Sequence, residues 1–124
     1  MRIWLFIAGL AGASGVILGA FAAHGLSARM APDALRIVDT GARYHLVHAP
    51  AIGLAALAMR GAALRPARLA AALFLAGIVL FSGSLYLLAW TGQPVIALIT
   101  PAGGLAFIMG WLALGLAGLK LEER

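Results

Sequence analysis

The side chains in this sequence that could do chemistry are three histidines and a few hydroxyl groups. His45 and His48 stand three positions apart, so a helix would bring both imidazoles to one side. Imidazole can move a proton near neutral pH or bind a metal ion. A zinc site needs further ligands, however, and the chain has no cysteine and no carboxylate within its apolar segments. We therefore predict no metal and no cofactor, and haem or metal binding by His24, His45 and His48 is the least favoured interpretation.

Catalytic motifs cannot be recognised in the sequence. It has no carboxylate pair within an apolar segment, no Gly-x-Ser-x-Gly, no phosphate-binding loop and no HExxH. These patterns would supply a nucleophile, a general base or a phosphate cradle. We therefore predict no catalytic residue and a protein that is not an enzyme.

The composition identifies the solvent of this chain as lipid. Of its 124 residues, 64% are apolar and only 10% are charged, and the mean hydropathy is +1.04. Soluble domains carry about 25% charged residues, and a chain this short needs a polar shell that it cannot build here. The net charge of +5 is spread singly over segment ends, which disfavours nucleic acid as a partner. We predict one integral membrane domain, 1–124, with the bilayer as its first partner.

Charge-free stretches position the helices that would carry these side chains. The longest stretch, from Leu69 to Leu119, is more than twice the ~20 residues that cross a bilayer, and it breaks at Gly92-Gln93-Pro94. The fold class predicted is therefore all-α, an integral membrane bundle of four transmembrane helices. Their predicted spans are about 3–23, 42–59, 69–90 and 95–119.

The residues between the first two spans have helical character of their own. Pro32-Asp33 is typical of a helix start, and apolar side chains recur at helical spacing from Leu35 to Ala42. We predict a short amphipathic helix at the membrane interface that leads into the second span.

The first span could be mistaken for a signal peptide, because Ala20-Phe21-Ala22 resembles a cleavage site. Its apolar run is long enough to cross a bilayer, and small residues recur on it every fourth position, which favours a retained helix that packs closely on a neighbour. The predicted packing residues are Ala11, Gly15, Gly19 and Ala23 on this helix, with Gly103 and Gly104 on the last.

The basic residues predict an orientation. With four spans, six Lys and Arg side chains fall on the side of the termini (Arg2, Arg60, Arg65, Arg68, Lys120, Arg124) and three on the other (Arg29, Arg36, Arg43). The positive-inside rule then places both termini in the cytoplasm.

Polar residues inside the spans converge, by position along each helix, on the half of the bundle away from the termini. The candidates are His24, Arg43, His48, Ser82, Ser84 and Thr100. Hydrogen bonds that hold helices together are the favoured interpretation. A binding or permeation site for a small solute, a proton or a lipid headgroup is the second. The segment 100–104 could likewise be a broken helix at a substrate site, although close helix packing is favoured.

Four motifs resemble those of one protein family. The segment GAFAAHGL at 19–26 is similar to the signature GAFGAHGL. It is followed in order by YHLVHA at 44–49, LFSGSLY at 80–86 and TPAGG at 100–104. The set resembles the domain of unknown function 423 family, the YgdD/YwdK-like proteins of bacterial inner membranes.

The resemblance implies a four-helix inner-membrane protein with a retained first helix and no assigned activity. It adds Tyr44 and Tyr86 to the candidate site, whereas His45, although it stands within the segment 44–49, is not one of the positions that define the motif. Together with the small-residue stripes, it leads us to expect a non-enzymatic protein that forms a homo-oligomer or joins a larger membrane complex. The alternative is a small transporter or channel that uses the polar site.

Overall fold

The protein is all-helical in the computed structural model, which describes residues 1–122 and contains no strand among them. Five α-helices are linked by short connections, and two of them are joined end to end by a π-helical segment, Ile78–Ser82. Arg124, one of the six basic residues predicted on the side of the termini, lies outside the described residues. The helices are α1 (Arg2–His24), α2 (Pro32–Leu57), α3 (Leu64–Gly77), α4 (Gly83–Thr91) and α5 (Thr100–Gly118), with 3₁₀ turns at Gly61–Ala63 and Pro94–Leu98.

Three continuous helical stretches are long and apolar enough to cross a membrane. They are Arg2–His24, Gly61–Thr91 and Pro94–Gly118. This confirms the all-α prediction and its long apolar helices. The helix α2 is not in this set, because its first half carries two aspartates and two arginines and two histidines follow.

The structure merges the short interfacial helix and the second span into one helix, α2, of 26 residues. Pro32 occupies the first turn, where its missing N–H costs nothing, and Asp33 sits at the positive end of the helix dipole. Two ion pairs, Asp33–Arg36 and Asp39–Arg43, lie along its exposed side. No turn sequence interrupts residues 33 to 49, so the helix runs through the predicted boundary at residue 42.

The helix α2 is the central helix of the bundle. It packs against α1 on one side and against α3, the π-helical segment and α4 on the other, and α5 packs mainly on α3. A Cβ at Gly19 would lie 3.7 Å from the Cβ of Ala42, and one at Gly53 would lie 3.7 Å from that of Ala8. These two contacts fix α1 and α2 as antiparallel neighbours.

Small side chains fill the core and large ones cover the outside. The fully buried residues are mostly alanines on α2 and α3, and the largest buried side chains are Phe74 and Ile52. Leucine, isoleucine and valine dominate the exposed surface instead. Membrane bundles have this distribution, because lipid accepts large apolar side chains while small ones let helix backbones approach.

A second, smaller core closes the end of the bundle opposite the termini. Ala22, Leu26 and Val38 are buried there, and Met30 and Ala89 pack against them. The connection between α1 and α2 therefore folds onto the bundle and does not hang free.

Candidate functional site

Two buried histidines on α2 form the centre of the polar network inside the bundle. His45 and His48 are only 5% and 4% exposed. The three-residue spacing places both imidazoles towards the interior, but they turn to different neighbours. Each ring nitrogen of both histidines has a hydrogen-bond partner within the chain.

His48 joins α2 to α5. The indole N–H of Trp111 donates to Nε2 of His48 at 3.1 Å, and Nδ1 lies 2.6 Å from the carbonyl oxygen of Tyr44. Because an indole N–H can only donate, Nε2 accepts, and Nδ1 carries the proton that it donates to the carbonyl. The ring also stacks on Phe107, with centroids 3.6 Å apart. The imidazole is thus neutral, and both of its ring nitrogens are hydrogen-bonded.

His45 joins three helices. Its Nε2 lies 3.2 Å from the hydroxyl of Ser14 on α1, and its Nδ1 lies 2.9 Å from the hydroxyl of Tyr86 on α4. Ser14 donates its single proton to the carbonyl oxygen of Ala11, 3.0 Å away. Ser14 therefore accepts from Nε2–H, and Tyr86 donates to Nδ1. The result is one directed chain of hydrogen bonds from α4 through α2 to α1.

A hydroxyl pair joins α4 to α5. The Ser84 and Thr100 oxygens are 2.6 Å apart, and Ser84 also donates to the carbonyl oxygen of Phe81 at 2.8 Å. Thr100 must then donate in the shared bond. Ser82, at the end of the π-helical segment, is fully buried, and its hydroxyl has no partner among residues 1–122.

The predicted site residues do not form one cluster. Tyr44 and His48 lie side by side, Ser84 meets Thr100, and Tyr86 meets His45. His24 and Arg43 are exposed, and Arg43 pairs with Asp39 at 2.9 Å instead of approaching His48. Neither residue contacts another predicted site residue, because His24 lies at the end of α1 and Arg43 lies on the outward side of α2 between the buried Ala42 and His45.

The position of His48 along the bundle also differs from the prediction. The Gly19–Ala42 and Gly53–Ala8 contacts bracket it, so it lies level with the middle of α1. His48 is therefore central to the bundle, not confined to the half away from the termini. The shift arises from the register of the two helices, because residue 42 lies beside Gly19 and not at the end of α1.

Sequence reasoning missed three residues of the network: Ser14, His45 and Trp111. Ser14 and Trp111 are not among the predicted site residues, and His45 is excluded from them because it is not a position of the family motif. The available signal was the three-residue spacing of His45 and His48, which already required both to share a side of the helix.

The small residues on α1 pack within the chain. Ala11 and Gly15 are buried, and a Cβ at Gly15 would come 2.9 Å from the side chain of Leu46. Gly19 faces Ala42, whereas Ala23 is exposed and its neighbour Ala22 is buried instead. The predicted stripe is therefore the contact between α1 and α2, apart from Ala23.

The two glycines predicted on the last helix also serve internal packing. A Cβ at Gly103 would overlap the backbone at the amide nitrogen of Phe81, and one at Gly104 would lie 3.7 Å from the ring of Phe81. Gly103 thus allows α5 to press against the π-helical segment. Within the described residues, no three His, Asp or Glu side chains come together as metal ligands.

A groove of about 390 Å³ runs beside His48, between α2, the π-helical segment and α5. The rings of Phe81, Phe107 and Trp111 line it together with Tyr44. Tyr44 is 44% exposed, and its hydroxyl makes no hydrogen bond to any residue that the structure describes. The groove can accommodate an apolar or aromatic group next to one phenolic hydroxyl.

The long helices are apolar, small side chains fill the core while large ones face outward, and polar side chains join the helices. Together these features define a small multi-pass membrane protein. The family model described as "Protein of unknown function (DUF423)" matches residues 18–104, and the chain belongs to this family. The resemblance drawn from the four motifs is thereby confirmed.

Curated relatives match over nearly their whole length. The chain is 45% identical to a UPF0382 membrane protein of Haemophilus influenzae, with 97% of this chain and 96% of the relative covered. It is 38% identical to the UPF0382 membrane protein YwdK of Bacillus subtilis (97% and 98% covered). It is also 38% identical to the UPF0382 inner membrane protein YgdD of Escherichia coli (99% and 94% covered). No solved structure matches the chain significantly. The relatives support a membrane protein whose activity is not assigned.

Proposed function

We propose that the chain spans a bacterial inner membrane four times and that both termini lie in the cytoplasm. In this topology α2 crosses the membrane in addition to the three long apolar helices. A helix of 26 residues is roughly 39 Å long, against roughly 30 Å of hydrocarbon. The excess of roughly 9 Å is about six residues, so Asp33 and Arg36 can lie at the interface, and Asp39 and Arg43 enter the membrane as an ion pair. The excess of basic residues on the side of the termini supports the orientation.

Single cysteines test this topology cleanly, because the native chain has none. Ser27 and Ala62 are exposed in the connections at opposite ends of the bundle. In intact spheroplasts, a membrane-impermeant maleimide should label the Ser27→Cys protein and leave the Ala62→Cys protein unlabelled until the cells are opened. The reverse labelling would overturn the orientation, and labelling of both would overturn the even number of crossings.

Within that topology, the protein is non-enzymatic and acts by association, as a homo-oligomer or as an accessory subunit of a membrane complex. The observation that carries this proposal is the outer face of α1. Gly9, Ala13 and Ala20 are exposed there on one side of the helix, with Val16 between them, and a Cβ at Gly9 would meet nothing within 4 Å. The outer face of α5 carries more large side chains, among them Leu105 and Leu112.

A small-residue face lets another helix approach closely, whereas a face of leucines suits lipid. The internal role of Gly15 and Gly19 excludes them as a test, because leucine there would disturb the contact between α1 and α2. The test therefore uses Gly9 and Ala13, which are exposed on the opposite side of the same helix.

The test is the native mass of the protein in mild detergent. The wild type should have a mass that is a multiple of the 12.7 kDa chain or that of a heteromeric complex. The double variant Gly9→Leu, Ala13→Leu should run as a monomer with an unchanged helical circular dichroism spectrum. Gly115→Leu is the matched control, since Gly115 is an exposed glycine on α5 with open space around it. A monomeric wild type, or equal loss of mass in both variants, would contradict the proposal.

A second candidate function is binding or passage of a small lipophilic solute in the groove beside Tyr44. The observation that favours it is the phenolic hydroxyl left without a partner next to three aromatic rings. Tyr44→Phe keeps the ring contacts and removes only this hydroxyl. Solute flux in proteoliposomes, or a small molecule that copurifies, should be lost in this variant. A flux equal to that of the wild type would count against the groove.

A further inference from the structure

A cavity of about 590 Å³ opens at the end of the bundle that carries the connection between α1 and α2. Its volume lies in the ~300–1,000 Å³ range of small-molecule sites. Apolar side chains from four segments form most of its wall: the end of α1, the connection, the start of α2 and the end of α4. They include Phe21, Leu26, Met30, Ala34, Ala89 and Trp90.

The wall is held in place by backbone hydrogen bonds and by the smaller core. The Leu26 amide donates to the carbonyl of Phe21 at 2.9 Å, and the Met30 amide donates to the carbonyl of Leu26 at 3.0 Å. Leu26 is itself only 9% exposed and is packed between α1, α2 and α4. The cavity is thus a preformed feature of the fold.

Among residues 1–122, Arg29 is the only charged residue in the wall of this cavity, and no carboxylate from them lines it. The two nearest aspartates in the sequence, Asp33 and Asp39, are taken by Arg36 and Arg43. Arg29 itself makes no ion pair with any of the residues from 1 to 122. An apolar cavity with one unpaired guanidinium at its wall is complementary to a molecule with an apolar chain and a negative head.

We propose that this cavity binds an anionic phospholipid, with an acyl chain among the apolar side chains and the phosphate on Arg29. The planar guanidinium fork matches phosphate oxygens in geometry and charge. The apolar wall excludes a free phosphate as the natural occupant, because it offers no second cation and few donors. Trp90, 74% exposed at the end of α4, is a side chain that favours the headgroup level of a membrane.

The experiment is native mass spectrometry of the full chain in mild detergent, titrated with phosphatidylglycerol or with phosphatidylcholine of the same acyl chains. The wild type should bind one phosphatidylglycerol per chain in preference to phosphatidylcholine. Arg29→Gln should lower the affinity for phosphatidylglycerol about fivefold, the effect of one basic side chain at a membrane surface. Ala34→Phe, which places an aromatic ring in the cavity, should weaken the binding of the lipid.

Arg65→Gln is the matched control, because it removes one exposed arginine at the opposite end of the bundle. It should leave the preference intact. Equal binding of both lipids by the wild type, or an equal loss in Arg65→Gln and Arg29→Gln, would overturn the proposal. Displacement of the lipid by glycerol phosphate would also overturn it, because the occupant would then be a free phosphate. A dimer that Ala34→Phe dissociates would overturn it as well, because the occupant would then be a second chain. The proposed self-association on α1 is tested by different residues, so either idea can fail alone.

Discussion

Alanine at Gly103 should destabilise the bundle, whereas alanine at the adjacent Gly104 should not. A Cβ at Gly103 would overlap the amide nitrogen of Phe81 and come 2.7 Å from the carbonyl carbon of Leu80. Both are backbone atoms, so no rotamer change can relieve the contact. At Gly104 the nearest atom would be a ring carbon of Phe81 at 3.7 Å, which is ordinary van der Waals contact.

The magnitudes follow from two opposing terms. Alanine is more favourable than glycine inside a helix by about 1 kcal/mol. At Gly104 this gain is unopposed, so the free energy of unfolding should stay constant or rise by up to about 1 kcal/mol. At Gly103 α5 must move away from the π-helical segment, and overpacking of this kind costs about 1–3 kcal/mol. The difference of the two terms is a net loss of up to about 2 kcal/mol, and the overlap with backbone atoms places Gly103→Ala towards the larger loss.

The assay is unfolding in mixed micelles as the mole fraction of sodium dodecyl sulfate is raised, followed by far-ultraviolet circular dichroism. The midpoint should fall for Gly103→Ala and should hold or rise for Gly104→Ala. The two positions are sequence neighbours in one helix, so insertion and expression effects largely cancel between them. Equal midpoints, or a lower one for Gly104→Ala, would refute the close approach of α5 to the π-helical segment.

Three further predictions concern the hydrogen bonds inside the bundle. Trp111→Phe keeps a ring but removes the donor to His48, so unfolding should become easier by about 0.6–1.7 kcal/mol, and the loss should vanish in a His48→Ala background. Tyr86→Phe removes the hydroxyl that donates to Nδ1 of His45 and should lower the free energy of unfolding by about as much in the same assay; a neutral result would contradict this hydrogen bond. Ser82→Ala should be neutral or stabilising because its hydroxyl is unpaired, whereas Ser84→Ala should lower the midpoint; the opposite order would contradict the assignment.

Composition and charge spacing were sufficient to predict an all-helical membrane protein, because they report the solvent of the chain directly. The three long apolar helices needed only the charge-free stretches and the break after Trp90. A helix start at Pro32 was predicted, but the continuity of that helix with the second span was less accessible. Asp33 and Arg43 are typical of an interface, but a helix can continue from an interface into a membrane without any change of backbone, and the sequence contains no signal for the transition.

The network around the histidines could be predicted only in part. Polar residues in apolar segments were identified as candidates, but their pairing depends on how far one helix slides along another. That register is set by contacts such as Gly53 with Ala8, which no periodicity encodes. Consequently His45, the residue that joins three helices, was set aside, and the exposed His24 and Arg43 were included.

Small residues posed a related problem of assignment. A small-residue stripe predicts a close helix neighbour but does not say which one. On α1, the stripe at Ala11, Gly15 and Gly19 is covered by α2, and the residues left for another chain are on the opposite side. The sequence contains both patterns, and only the packing of α2 shows which of them the chain uses itself.

The polarity of α2 bears on how the proposed four-span bundle assembles. A polar group without a partner in hydrocarbon costs several kcal/mol, so α2 is a poor candidate for crossing alone. The neighbouring α1 precedes it in the chain, packs along it and supplies Ser14 to His45. The other partners, Tyr86 and Trp111, are on helices that come later. Each added helix therefore satisfies a further imidazole nitrogen, and the network stabilises a helix of low hydropathy in the bundle because its imidazoles are paired with neighbouring helices.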